Sequence, residues 1–459
     1  MLGRMHKPTL RAFALAPLVF TAACAVDPSP PPPDESAAQT DAVQRYIDAI
    51  YHHDDVRHSF RSKLGDDVDC VAFEAEPGVR ALLAAGATLD EVRRSLAEGR
   101  AATPSSGAGA NDMYLAGDPD EVGRQRACPD GTVPHVRLTR ARIAAAGGLD
   151  AYERIVQRKQ PKSAPMNPTS GGKEAHTGPY AWVFANYKAA SQGGTSTMTI
   201  AAPTLPGNGI GDHSIAQVWV SAGGGTTGQP LQTVEAGWIA LPCGQTGPCA
   251  PRLFIYSTPD SYATGCYNGG APSSGCVTWV PNPSATLMLN APLTASTPGG
   301  AQHELTITVR HARTLHCFAT NLCTFFWGRW DVYASTDGAA PQYLGYYANS
   351  AYGSGPLASG STEFEIGGEV YDSNGTSTEP SPPRVTMGEG GLFLGLAQYG
   401  YTAYHRDFAY YTPAFALQGD GSTAYYTADA YIYNVTAPAG SSSWKNWFYF
   451  GDWVGLNKL

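Results

Sequence analysis

Leu231-Gln232-Thr233-Val234-Glu235-Ala236-Gly237-Trp238-Ile239 reads as a β-strand that sets one carboxylate among apolar and small neighbours. In an extended segment successive side chains alternate between two faces, so Glu235 shares its face with Thr233 and Gly237. A second stretch, Phe364-Glu365-Ile366-Gly367-Gly368-Glu369-Val370, has the same design, with Glu369 on the face of Gly367. Glycine weakens a strand interior unless something approaches closely or the chain kinks there. The glycines therefore mark room for a substrate backbone, and the expectation is that Glu235 and Glu369 meet across a cleft and activate a water molecule. The two lie 134 residues apart, so only the fold can join them.

From about residue 170 onward helix signals vanish. Ala181–Phe184, Ser196–Ile200, Ala216–Val220, Leu253–Tyr256 and Leu305–Val309 are short strand-like runs separated by Gly, Pro, Ser and Asn turns. Val218–Ile239 reads as a hairpin with Gly223-Gly224-Gly225 in its loop. This is the pattern of a β-sandwich or barrel. The upstream part differs. Val43, Tyr46, Ile47 and Ile50 fall on one helical face; Val79 to Leu96 is helical in character, with Thr88 or Asp90 as cap; a last helix is expected over about 149–157. Arg158-Lys159-Gln160-Pro161-Lys162 then forms a basic junction, suited to proteolysis or to a plain linker.

The composition agrees with an exported β protein. The 459 residues include 52 Gly and 25 Tyr, and only 15% are charged. A net charge of −9 without a basic stripe excludes nucleic acid as an expected partner. Arg4, Lys7 and Arg11 precede a short apolar run, Ala12 to Ala23, that reads as a signal peptide (1–23), ending in the lipobox-like Thr21-Ala22-Ala23-Cys24. Cys24 is the expected lipidation site and only membrane attachment, with ordinary cleavage and release as the alternative. Residues 24–40, with Pro30 to Pro33, are expected to form a stiff tether.

Nine cysteines become an even eight once Cys24 is set aside, which implies disulfides in an exported chain. Close spacing pairs Cys243–Cys249, Cys266–Cys276 and Cys317–Cys323, and elimination leaves Cys70–Cys128. A zinc site would need CxxC spacing, which these cysteines lack. His303, His311, His316 and His405 lack an HExxH frame, Asp212-His213-Ser214 has no nucleophile elbow, and no phosphate loop is present. No metal and no cofactor are therefore expected. Two carboxylates in contact share a proton and titrate as a unit, so the charged one can take a proton from water while the neutral one polarises a carbonyl.

At this point the chain resembles the neprosin family of glutamic peptidases. The resemblance rests on Gln217-Val218-Trp219-Val220, Thr233 to Trp238, Arg252 to Asn268, Leu344-Gly345-Tyr346-Tyr347, Gly367-Gly368-Glu369-Val370, Met387-Gly388-Glu389-Gly390 and Trp447 to Gly451. Upstream, Val68 to Val71 and Cys128 to Pro134 resemble that family's activation peptide. The resemblance implies an all-β catalytic domain (166–459), an antiparallel, jelly-roll-like sandwich, preceded by a small mixed helical and extended prodomain (41–165). It implies an endopeptidase with Glu235 and Glu369 as the catalytic pair, cleavage after proline, activity at acidic pH, and a prodomain that inhibits until removed. Protein or peptide substrates are the expected partners, and Gln217, Gly237, Tyr267 and Gly368 the expected supporting residues. This sequence has Ser257 where the family often has an aromatic residue, and a wider loop between Cys266 and Cys276. The rival reading is a non-catalytic carbohydrate-binding or adhesive sandwich, and a further one a two-carboxylate glycosidase.

Overall fold

The computed structural model describes residues 35–49, 53–62, 66–103, 128–157, 180–205, 211–224, 227–242, 250–269, 278–319, 322–373, 385–389, 392–393, 398–419, 424–427, 433–436 and 444–454. The chain divides into two compact units, 1–41 and 42–459. The upstream elements are α1 (Glu35–Asp48), β1 (Val56–Arg61), β2 (Asp67–Ala72), α2 (Pro77–Ala84), α3 (Leu89–Ala101), β3 (Thr132–Val136), α4 (Arg140–Ala145) and α5 (Leu149–Gln157). Strands β4 to β20 follow: Tyr180–Tyr187, Gly193–Thr199, His213–Ala222, Gln232–Ala240, Arg252–Thr258, Cys266–Tyr267, Trp279–Pro281, Glu304–Ala319, Leu322–Thr336, Gln342–Ala348, Glu363–Tyr371, Leu392–Phe393, Ala403–Tyr411, Leu417–Gln418, Ala424–Thr427, Tyr433–Thr436 and Trp447–Val454.

These strands make the expected antiparallel sandwich. The front sheet runs β18-β4-β14-β6-β7-β8-β9, and the back sheet β10-β13-β12-β11-β5-β16-β20-β15. Strict alternation builds the core between them. Val234, Ala236, Trp238 and Ala240 of β7 point inward, against Leu305, Ile307 and Val309 of β11 and Trp330 and Val332 of β12. Two of the buried indoles find an acceptor: Trp238 donates to the Thr199 carbonyl (2.7 Å) and Trp330 to that of Leu357 (3.1 Å).

The upstream segment from residue 42 grips the sandwich at the edge where β9 and β10 lie. Its β1-β2-β3 sheet is tied by the Cys70–Cys128 disulfide. Helix α3 begins with a capping box: the Glu91 N–H donates to Thr88 Oγ1, and the Thr88 N–H to Glu91 Oε2. Val92 and Leu96, one turn apart, pack with Phe73 and Val79 on Tyr333, Tyr343 and Tyr346 of the back sheet. Gly99 lies where any side chain would strike the Tyr343 ring, and its carbonyl accepts from the Tyr333 hydroxyl. Arg329 reaches Glu98 (3.2 Å). On the other side Ala146 and Val156 pack with Ile239, Tyr256 and Tyr267 of the front sheet, and Asp66 pairs with both Arg142 and Arg252.

Two expectations need correcting here. The tether of residues 24–40 is helical from Glu35, because Ala, Gln and an acidic start favour a helix as soon as the proline run ends. Helix α4 was not expected; it is short, and its Thr139 cap and single buried Ile143 leave little periodic signal. Cys24, Cys243, Cys249, Cys276 and the 23/24 and 165/166 boundaries lie outside the described residues. Cys266 is disulfide-bonded, and Cys317 and Cys323 are directly opposite in the β11–β12 hairpin.

Candidate active site

The outward face of the front sheet is laid out by strand register. Residues paired directly across antiparallel strands share a face, so three rows run across the strands. The first reads Asn186, Glu365, Trp219, Glu235, Tyr256, Tyr267. The second reads Phe184, Gly367, Gln217, Gly237, Phe254. The third reads Trp182, Glu369, Ile215, Ile239, Arg252.

Glu235 and Glu369 are thus not opposite each other. Two strand spacings and four residues of rise separate them by about 16 Å between Cα atoms, more than two glutamate side chains span. Glu365 stands level with Glu235, about 10 Å away between Cα atoms, with only Trp219 between. The second row is the floor beside them. Gln217 has a glycine on either side, and at both glycines a Cβ would run into the neighbouring strand, at Gly367 against the Val183 carbonyl and Phe184, at Gly237 against the Ala216 carbonyl and Gln217.

The two carboxyls are both buried but have different partners. Glu235 is fully buried, and its Oε1 accepts from the hydroxyls of Thr233 and Tyr262, both at 2.8 Å. Tyr262 is delivered by the turn after β8, where Ser261 (φ 59) and Tyr262 (φ 63) both sit in the left-handed region. Such backbone is strained in non-glycine residues and is kept when the surroundings enforce it. Here Thr258 Oγ1 accepts from the Tyr262 N–H, and Ser261 Oγ from the Leu231 N–H. Glu365 has other neighbours. Burial, then the neighbouring Glu363 carboxylate, push its pKa well above the usual carboxylate range; Lys188 opposes this and Glu235 adds to it. Asn186 Nδ2 donates to Glu365 Oε1 at 2.8 Å and holds the side chain in place.

Glu369 belongs to a separate group at the end of the face. Gln217 Nε2 donates to its Oε2 at 3.5 Å, and His213 Nε2 stands 3.7 Å from its Oε1. The His213 ring stacks on Tyr371 and is oriented by Nδ1 donating to the Gly211 carbonyl (2.8 Å). Gly368 does not line the groove: alternation turns it inward, where Phe450 and Met387 occupy the space a side chain would take. Gln217 and Gly237 are on the outward face, as expected, and Tyr267 ends the first row.

Sequence reasoning did not single out Glu365, Asn186 or Tyr262, while it placed Thr233 on the face of Glu235 and Trp219 in the Gln217-Val218-Trp219-Val220 stretch. For Glu365 the signal was present, since it shares the face of Gly367 and Glu369. For Tyr262 there was none, because a loop places it. Among the described residues no group of three or more His, Cys, Asp or Glu is arranged to hold a metal ion. No helix among them is long and apolar enough to cross a membrane.

Compared with known proteins, the Neprosin family model matches residues 211–452. A solved structure of scytalido-glutamic peptidase with a transition state analog inhibitor is similar over 60% of this chain and 98% of that chain, at 11% identity and a TM-score of 0.32.

Proposed function

Because the chain belongs to the Neprosin family and is a peptidase, we propose that it hydrolyses peptide bonds with a water held between Glu235 and Glu365. The observation that carries this reading is the first row, with two buried carboxyls flanking Trp219, Glu235 accepting from two hydroxyls and Glu365 pushed well above the usual carboxylate range. Glu235, charged, takes a proton from the water as its oxygen attacks the carbonyl carbon. Glu365, neutral, donates to the carbonyl oxygen as it becomes tetrahedral. When the C–N bond breaks, the proton held on Glu235 passes to the leaving amine, and the hydroxyl made from the carbonyl oxygen returns its proton to Glu365 as the C=O re-forms. The same division of roles ties activity to acidic pH, where Glu365 keeps its proton.

Proline preference and a zymogen state belong to the same proposal. Trp219 and Phe184 meet edge to face at 6.3 Å beside the pair, which offers an aromatic corner for a pyrrolidine ring. The upstream segment covers part of the same outward face through Val156 and Ala146, which suits an inhibitory prodomain. Acid treatment is expected to shorten the purified chain to a product starting near residues 159–175. Incubated with a proteome-derived peptide mixture, that product should yield cuts mainly after proline by mass spectrometry. An acid-treated chain that stays full length across about pH 3–7 would count against the zymogen, and cut sites without proline bias against the specificity.

Stability should follow the same carboxyls. Burial raises Glu389 to about 7, with neither carboxyl oxygen paired, and raises Asp452 well above the usual range even though Asp452 accepts from the Met387 N–H. A carboxyl whose folded pKa exceeds its unfolded value stabilises the fold fully below the unfolded value, near 4.5, and loses that contribution as pH rises through the folded one. In the Glu235→Gln chain, where self-cleavage does not intervene, the melting temperature is expected to fall between pH 4.5 and 7. Adding Glu389→Gln should flatten that slope. A melting temperature that climbs across the interval would refute this.

A further inference from the structure

Where the first row ends, a cavity of about 110 Å³ lies between the sandwich and the upstream segment. Tyr267, Asn268 and Trp279 line it from the sandwich, Pro134, Tyr152 and Val156 from the other side. Among the described residues the Trp279 indole N–H has no partner, and the Tyr267 hydroxyl and the Asn268 side-chain NH2 have none but each other. Tyr267 is 7% exposed and Trp279 3%. Buried donors are ordinarily paired, because an unmade hydrogen bond carries the full desolvation penalty. The paired indoles of Trp238 and Trp330 show the ordinary arrangement in this same molecule. Asn268 is not free to turn and correct the deficit: its backbone is left-handed (φ 49), and its Oδ1 accepts from the Ile255 N–H at 2.9 Å, which directs the NH2 the other way.

The position of these donors relates them to the reacting carboxyls. Tyr267 lies two strands beyond Glu235 in the same row, about 10 Å away between Cα atoms. An extended peptide lying along the row covers that distance in about three residues. Three donors without a competing acceptor suit carbonyl oxygens, which are what an extended peptide backbone presents. We propose that Tyr267, Asn268 and Trp279 form a subsite that binds backbone carbonyls of the substrate about three residues from the bond to be cut. The inference rests on the peptidase reading above. Tyr152 and Val156 close the subsite while the upstream segment is docked, so it opens only when that segment leaves.

Tyr267→Phe removes one donor and little else. In the full chain the variant should melt close to the parent temperature, since the hydroxyl's one neighbour is the Asn268 amide, itself held through Oδ1. After acid activation its kcat/KM should drop about five- to tenfold on peptides that reach the subsite and stay unchanged on peptides one or two residues shorter. Ladders lengthened separately on each side of the cut identify the side. A loss equal at all lengths, no loss at any length, or a lowered melting temperature overturns the subsite. If the parent cuts some peptides but none of these length effects appear, the peptidase reading stands and the subsite alone falls; a parent that cuts no peptide removes both.

Discussion

Replacing Glu365 by glutamine is expected to lower kcat/KM for peptide hydrolysis about a thousandfold, and replacing Glu235 to do the same, while Glu369→Gln keeps activity within about tenfold of the parent. Glutamine has the shape of the neutral acid, and its carbonyl oxygen can still accept from Asn186 as Glu365 Oε1 does. What it cannot do is pass a proton to the carbonyl oxygen. At position 235 the amide oxygen can still accept from Thr233 and Tyr262, but the group can no longer take a proton from water. Because the two act on one water and one carbonyl, the double variant should be little worse than either single one. Glu369 stands about 16 Å from Glu235 and is engaged with Gln217 and His213, so losing its charge perturbs the end of the groove and not the reacting atoms. Rates should be compared at equal folded fraction, checked by melting. An inactive Glu369→Gln beside an active Glu365→Gln would transfer the acid role to the Glu369, His213 and Gln217 group and sink the present assignment.

The strands of the front sheet were legible in the sequence. The alternation of Val234, Ala236 and Trp238 against Thr233, Glu235 and Gly237 gave both the strand and its buried face, and β14 followed from the same rule. That Glu365 rather than Glu369 stands level with Glu235 was not legible. A period of two makes Glu365, Gly367 and Glu369 equivalent, because all three point outward. Only the pairing of β14 with β6, which sets Trp219 opposite Glu365, separates them, and register is a property of two strands together. Tyr262 was hidden for a different reason: two consecutive left-handed residues aim it, and neither Ser nor Tyr advertises that backbone. The cap of α3 was readable because Thr88 and Glu91 make it within one turn of chain.

The glycines that first drew attention to both stretches have a sharper role than leaving room for substrate. Gly367→Ala and Gly237→Ala are each expected to destabilise the chain by about 3 kcal/mol. In both, the new Cβ would meet the backbone of the adjacent strand: the Val183 carbonyl and Phe184 Cα (2.7 Å) for Gly367, the Ala216 carbonyl and Gln217 Cα (2.7 Å) for Gly237. A backbone neighbour cannot rotate away as a side-chain tip can, so β14 must shift from β4, or β7 from β6. Gly367 is also held from inside. The His405 ring, kept neutral because burial lowers its pKa to about 3, accepts from Ser196 Oγ at Nδ1 and donates from Nε2 to the Gly367 carbonyl (3.3 Å). A shift of β14 therefore strains the core and displaces Glu365 relative to Glu235 at once. Misplacement by about 1 Å is enough to cost about a hundredfold in rate, so the folded fraction of Gly367→Ala should be slow as well as scarce. Urea unfolding with parallel rate measurements separates the two effects. If both alanine variants unfold with the parent's midpoint, the strands have slack at these positions and the glycines do not hold the spacing of the carboxyls.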